Sequence, residues 1–416
     1  MRLRNFSQLA NVFLRGVTLA SKFLLIFFLA RFLDPAALGV YGLLSATIGY
    51  ALYLLGFDFY TYTTRELLKC DRSQWGGFLK AQCALTIILY VIFLPLLGLV
   101  FLKALLPLYV AGWFFALVVL EHITQELGRL LVAVSDQLFA SLVLFLRSGI
   151  WAVVVTLIML VDAEMRSLDV VLGAWTFGST LALVLGGYRL KRLRLSGWQQ
   201  AVDWRWIARG IKVALSLLIA TLAIRGLFTL DRYWVQHLWG LDVLGAYVLF
   251  MGISSALVSF LDAGVFAFIY PGLISAYQKG DASEFRQGVR KLFIQTLSLS
   301  ASFAMIAWLT IGPLLSWLDK PVYAAQLPLF LWVLGATILY AIGMIPHFAL
   351  YAQGHDRPII QSHIASLLVF VMSTWLLSNY WAQFAVPVGL CVSFVFILCW
   401  KSWSYLRLTS AEYRFF

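Results

Sequence analysis

Charge is scarce in this chain. Only 12% of its 416 residues are charged, against about 25% in soluble domains, and the 19 acidic residues are outnumbered by 31 Lys and Arg. Charge is also missing in blocks: residues 81–102, 170–188, 292–318, 321–354 and 358–400 contain no Asp, Glu, Lys or Arg. A bilayer-spanning helix needs roughly 20 apolar residues. Each of the first three windows therefore holds one span, and the last holds two around a polar break at 378–383. Cysteine is rare, and Cys70, Cys83, Cys391 and Cys399 have no metal-ligand spacing, which argues against a zinc site or a disulfide framework. No Gly-rich loop ends in a lysine, which excludes an ordinary ATPase site, and there is no Gly-x-Ser-x-Gly nucleophile turn. His122, His237, His347, His355 and His363 have no Cys or carboxylate neighbour at ligand spacing, so ordinary polar roles are expected for all five. No metal or cofactor is expected.

What is abundant is apolar surface: 62% of the residues are hydrophobic. Reading the runs between charges gives twelve spans, at 8–33, 36–63, 77–104, 108–132, 136–162, 168–189, 209–236, 242–270, 289–317, 325–352, 357–378 and 382–404. The opening Met-Arg-Leu-Arg could begin a signal peptide, but Arg15 and Lys22 interrupt the apolar stretch, so the expectation is an uncleaved first helix. With twelve spans both termini fall on one side. Most Lys and Arg fall there too, including Arg65, Lys69, Arg72, Arg189, Lys191, Arg192, Lys279, Arg286 and Arg290. The basic side is cytoplasmic, so the net charge of +12 reflects topology and contact with the lipid bilayer, not nucleic-acid binding. The longest polar stretch, Arg189 to Arg209, carries Trp198, Trp204 and Trp206 and reads as an amphipathic segment on that face. It divides the chain into an N-terminal six-helix lobe (1–195), a linker (196–208) and a C-terminal six-helix lobe (209–416). Loops on the opposite side are short, leaving no room for the catalytic loop of a membrane glycan polymerase. A transporter is expected, not an enzyme.

The two halves share a signature. Leu38-Gly39-Val40-Tyr41 follows a turn led by Arg31, and Leu244-Gly245-Ala246-Tyr247 follows a turn led by Asp231-Arg232. Each opens the second span of its half, as parallel repeats about an axis along the membrane normal would require. The expected fold is therefore an all-α integral membrane protein of about twelve helices, in two six-helix lobes around a central cavity.

A charge in mid-membrane costs at least ~2.5–3.5 kcal/mol, so it faces the protein interior or a water-filled cavity. The basic candidates are Arg15 and Lys22 in span 1, Arg147 in span 5 and Arg225 in span 7. Arg15 and Lys22 share one helix face, roughly 10 Å apart. The acidic candidates, also considered for ion coupling, are Asp58, Glu121 and Asp262. Glu121 and Arg147 lie at similar depth in one hairpin and read as a structural ion pair; Asp58 could pair with Arg15. The unmatched charge is then positive, centred on Lys22 and Arg225. A cavity of that sign suits a phosphate or diphosphate, with Lys as a point charge and Arg as a bidentate fork. An antiporter for organic cations would need acidic residues instead.

Several segments together resemble the bacterial polysaccharide-repeat-unit flippases, including O-antigen flippases, of the multidrug/oligosaccharidyl-lipid/polysaccharide exporter superfamily. They are Leu29-Ala30-Arg31-Phe32-Leu33-Asp34-Pro35 leading into Leu38-Gly39-Val40-Tyr41, then Gly56-Phe57-Asp58 with Thr64-Arg65-Glu66-Leu67. Asp231-Arg232 before Leu244-Gly245-Ala246-Tyr247, and Tyr270-Pro271 before Tyr277-Gln278-Lys279-Gly280-Asp281, complete the set. Pro387-Val388-Gly389-Leu390 departs from the Gly/Ala-rich start of span 12 common in that family. The resemblance implies a flippase that moves undecaprenyl-diphosphate-linked oligosaccharide to the periplasmic leaflet by alternating access. It also implies an inner-membrane location and an association with polysaccharide polymerase machinery. Family basic residues in the first and seventh helices correspond loosely to Lys22 and Arg225. The rival readings are a cation-coupled drug antiporter of the same superfamily, a lipid-II-type flippase and a glycan polymerase.

Overall fold

The computed structural model describes residues 2–415, with side chains from residue 10 onward. Helix is the only extended regular structure among the described residues. Eleven helical stretches are long and apolar enough to cross a bilayer, but one of them, Trp204–Gln278, has 75 residues. At 1.5 Å per residue that is roughly 110 Å, far beyond a hydrocarbon core of about 30 Å. Gly240 (φ 79°, ψ −176°) interrupts it in a conformation reserved for glycine. Two helices result, and the described residues contain twelve of membrane length.

In chain order these are α1 (Arg2–Phe32), α2 (Pro35–Gly56), α3 (Trp75–Leu102), α4 (Ala111–Ala133), α5 (Gln137–Val161) and α6 (Leu168–Arg192). They continue as α7 (204–239), α8 (241–278), α9 (Ala282–Leu318), α10 (Leu327–Ala352), α11 (Asp356–Tyr380) and α12 (Ala385–Leu408). Helices α5 and α8 each contain one π turn, at Leu146–Ile150 and Asp262–Phe266.

Surface and interior have the polarity that lipid demands. Ile87, Val91, Leu96 and Leu99 lie exposed along α3, and Leu368, Met372 and Trp375 along α11. In water such continuous apolar faces would be docking or aggregation sites. Inside, Ser179, Thr296, Ser362, Ser366, Thr374 and Ser393 are fully buried. Small and hydroxylated residues let membrane helices approach closely, where apolar burial gives no driving force. Most of these hydroxyl side chains that bond do so locally, as Ser393 does to Gly389 O at 2.9 Å.

The helices fall into two compact units. One comprises Met1–Leu33 and Val40–Leu218, the other Asp34–Gly39 and Ile219–Phe416. In the first, Phe59, Ala81, Leu85, Leu89, Trp206 and Ile207 form one buried cluster. In the second, Leu257, Leu261, Phe285, Val289, Ala349 and Tyr405 belong to a larger one.

The repeated glycines meet in the second unit. A Cβ on Gly39 would strike the carbonyl oxygen of Leu241, and a Cβ on Gly245 that of Pro35. Each carbonyl lies four residues before the other glycine, so the contact is reciprocal. Both tyrosines of the signature reach buried carboxylates within their own units. Tyr247 donates to Asp231 Oδ2 at 2.8 Å, and Tyr41 lies within electrostatic reach of Glu121.

Two sequence expectations are corrected. Span 2 does not run to residue 63: α2 stops at Gly56, Phe57 and Asp58 adopt positive φ (53° and 49°), and a short helix, Tyr60–Leu67, follows. Asp231 and Arg232 lie inside α7, and the turn is at Gly240; Asp231 is tolerated there because Tyr247, the backbone N–H of Arg232 and its guanidinium all donate to it. The stretch after Arg192 leaves the helix. Residues 193–203 form a strap: Gly76 N donates to Ser196 O at 2.7 Å, and Lys80 Nζ donates to Trp198 O and Gln200 O. Gly197 (φ 96°) turns it, and Trp206 is buried against Phe59, Tyr62 and Phe78.

Candidate functional site

An arginine-lined cavity of the first unit is built around the π turn of α5. Gly149 in that turn has no Cβ to keep Thr18 of α1 away, and Gly178 of α6 makes room for the Leu146 carbonyl and Trp151. One extra residue in the turn re-aims the side chains that follow it, as such turns do at functional sites. Arg147 sits on this turn. Its Nε lies 3.2 Å from Glu121 Oε2 of α4, so the ion pair expected from depth is present. The Nε–H is not aligned for a hydrogen bond. Glu121 is buried and spends its other oxygen on Trp175 Nε1 (2.9 Å) and Ser179 Oγ (2.8 Å) of α6. Trp175 is itself fixed by stacking on Trp151, 5.6 Å between ring centroids. Glu121 is thus a positioned carboxylate with little capacity left for a ligand.

Arg147 lines a cavity of about 590 Å³ together with Arg15 and Arg129. No Asp or Glu is among its lining residues. Arg15 donates from Nε to Ser141 Oγ at 3.1 Å, and Ser141 also bonds Asn11. Arg129 pairs with Glu126, one helical turn away on α4, at 2.5 Å, and its guanidinium lies 3.6 Å from the centre of the Tyr60 ring. A second cavity of about 380 Å³ shares Tyr60, Thr64 and Arg129 with the first, and most of its wall is apolar: Leu67, Leu79, Ile87, Ile123, Leu127 and Leu130. Its polar side consists of Gln82, which donates to Glu126 at 2.7 Å, and Tyr90 with His122, 2.8 Å apart.

The expected residues therefore separate into groups. Arg15 and Arg147 share one cavity. Lys22 is accessible and lies within electrostatic reach of Arg147 and Glu121. Asp58 is buried at the positive-φ break after α2; the hydrogen bond of Arg15 goes to Ser141. Arg225, expected to be unmatched, has Asp262 of the second π turn within electrostatic reach, both in the second unit and both accessible. Arg129 and Glu126 escaped sequence reading because they sit near a span end, although the Glu-x-x-Arg spacing of one helical turn was a visible signal. Lys401 also escaped it. Buried in α12, it contacts His347 of α10 and His363 of α11, so these two histidines are not isolated polar residues.

No family model matches the chain, and no curated protein matches it by sequence. Solved structures do match. A multidrug-resistance MATE family transporter of the MOP superfamily, in its inward-facing conformation, is similar over 94% of this chain and 96% of its own, with a TM-score of 0.78 and 14% identity. An outward-facing structure of such a transporter gives 0.58 at 12% identity, covering 97% of this chain and 96% of its own. A MOP superfamily transporter from Pyrococcus furiosus, described as having a binding pocket of reverse polarity, gives 0.57 at 14%, covering 98% and 95%. By its twelve membrane-length helices and these likenesses, the chain has the fold of the MATE-family transporters of the MOP superfamily.

Proposed function

We propose that the chain is a flippase for an anionic amphiphile. The substrate class is an undecaprenyl-diphosphate-linked oligosaccharide, such as an O-antigen or similar polysaccharide repeat unit, carried from the cytoplasmic to the periplasmic leaflet of a bacterial inner membrane by alternating access. The observation that carries this reading is the first-unit cavity, lined by Arg15, Arg129 and Arg147 and by no carboxylate. Three guanidinium forks suit a diphosphate, which has more acceptor oxygens than one Arg can satisfy. The adjoining apolar cavity suits the first isoprene units of the lipid. Lys22 adds positive charge beside Arg147. Arg225 with Asp262 gives the second lobe a pair whose charge a substrate or coupling ion could alter.

A second reading is a cation-coupled antiporter for drugs or other small molecules. It is favoured by the multidrug transporters among the structural neighbours and by Glu126 in the apolar cavity, a carboxylate that could face an organic cation.

Proteoliposomes carrying a fluorescent polyprenyl-diphosphate sugar separate the two. Flipping is read as loss of protection from a membrane-impermeant quencher. Each charged hydrogen bond to phosphate is worth about 1.5–3 kcal/mol, so Arg15→Ala or Arg147→Ala should slow flipping roughly 10- to 100-fold. Uptake of an organic cation with no flipping of the diphosphate lipid would establish the antiporter reading instead.

A further inference from the structure

The second unit contains a polar cluster that the proposed headgroup cavity does not use. Lys401 lies about seven residues before the end of α12, and its side chain is 2% exposed. Its Nζ is 3.2 Å from His347 Nδ1 on α10 and 3.1 Å from His363 Nε2 on α11. The two imidazoles lie parallel, with ring centroids 6.0 Å apart, and both are half-buried. Three helices thus each contribute one basic group to one point.

The surroundings supply no counter-charge. Among the described residues, no Asp or Glu forms an ion pair with Lys401. The Tyr351 ring stacks parallel to His347 at 6.5 Å and meets Tyr270 of α8 at 6.4 Å. Tyr405, also on α12, donates its hydroxyl to Tyr413 O instead. The charged residues of α9 and α11, Glu284, Arg286, Arg290, Lys291, Asp356 and Arg357, are exposed in the first turns of those helices. On α7 and α8, Asp231 is engaged with Arg232 and Tyr247, and Asp262 interacts with Arg225. Two histidines without a third ligand are also not a metal site, and no metal-ligand group occurs among the described residues.

The geometry fixes how many protons the cluster holds. An ammonium donating to both ring nitrogens requires both imidazoles to be neutral, with His347 carrying its proton on Nε2 and His363 on Nδ1. A second proton on either facing nitrogen would replace an acceptor by a donor and set two positive charges about 3 Å apart in a dry interior. The trio therefore binds one proton or none. We propose that Lys401, His347 and His363 form a single-proton site in the second lobe whose occupancy biases the transport cycle. Loaded, it is an uncompensated cation at membrane depth and favours the conformation that wets it. Empty, it is neutral and favours the one that buries it. Proton binding shifts the equilibrium by this difference. The half-buried imidazoles give the proton its way in. The link to the cycle rests on the transporter reading; the proton site itself does not.

Two measurements separate the parts. The full-length chain in nanodiscs, labelled with nitrogen-15 at histidine, is titrated by NMR, with His347→Gln and His363→Gln assigning the signals. The expected result is one transition shared by both imidazoles, which Lys401→Met splits into two independent titrations. Independent titration in the unsubstituted protein, or no change in Lys401→Met, overturns the proton site and leaves the transporter reading standing. In proteoliposomes, flipping of the fluorescent polyprenyl-diphosphate sugar should change about tenfold on imposing a pH gradient, and the Lys401→Met and His363→Gln variants should lose that response. Flipping that proceeds normally in the unsubstituted protein but ignores the gradient overturns the link to the cycle.

Discussion

Adding one methyl group at either repeated glycine should unsettle the second unit, and the same change ten residues further along α2 should not. A Cβ at Gly245 would collide with Pro35 O, with Pro35 C at 2.8 Å and Cα at 3.1 Å; a Cβ at Gly39 would collide with Leu241 O, with Gly245 N at 3.3 Å. Every obstacle is backbone, so no rotamer change relieves it, and the two helices must separate. Overpacking of this kind costs about 1–3 kcal/mol, against which alanine recovers up to about 1 kcal/mol of helix propensity. The net expectation is a loss of about 1–2 kcal/mol for Gly39→Ala or Gly245→Ala. The double variant should lose less than the sum, because the first methyl has already opened the crossing. Gly49 lies in the same α2 with no atom within 4 Å of a Cβ, so Gly49→Ala should be neutral or slightly stabilising. Denaturant unfolding of the purified protein in bicelles reads all four. Equal stability of Gly39→Ala, Gly245→Ala and Gly49→Ala would refute the reciprocal contact, and with it the structural meaning given to the repeat.

Glu121→Gln removes the charge facing Arg147 in a buried pair, a change that costs about 3–5 kcal/mol when nothing rewets the survivor; access from the cavity should keep it near the lower figure. The same variant should bind a diphosphate lipid more tightly, since Arg147 loses its competitor, and isothermal calorimetry reads that opposite sign. Exchanging the pair as Glu121→Arg with Arg147→Glu puts a carboxylate on the cavity wall. Headgroup binding should fall at least tenfold while stability recovers part of the loss of either single change, which a double-mutant cycle measures. Gly197→Ala places a side chain at φ 96° with a Cβ 2.7 Å from Ser73 O. A loss of about 1–3 kcal/mol in thermal unfolding is expected, with faster proteolysis at the strap.

The sequence revealed helix number well because lipid leaves a plain mark there: the charge-free windows coincide with α3, α6, α9, α10 and the α11–α12 pair. It also revealed the Glu121–Arg147 pair, since helical rise converts residue number into depth and adjacent helices of a hairpin must face each other somewhere. Backbone irregularities were hidden. Nothing in Leu146-Arg147-Ser148-Gly149-Ile150 announces a π turn, because the turn sits where α1 closes on Gly149 and where α5 itself packs against Gly178 of α6. The Lys401 cluster was hidden for another reason. Its three members are 16 and 38 residues apart along the chain, on three helices whose rotation about their axes is set by packing. A residue's depth follows from its number, whereas its azimuth does not.

That distinction bears on what the fold can say about substrate. Twelve helices in this order follow from span length, from short loops and from the reciprocal approach of Gly39 and Gly245. None of these constraints fixes the sign of a cavity. Here the sign depends on how the two α4 carboxylates are paired: Glu121 is consumed by Arg147, Trp175 and Ser179, and Glu126 by Arg129 and Gln82. Each carboxylate is drawn into hydrogen bonds, while each arginine has more donors than its partner can accept. The surplus of N–H groups, not the count of charges, is what the cavity-lining arginines leave for a ligand. A chain of the same fold with those two carboxylates released would present acceptors in place of donors and would suit the opposite class of ligand.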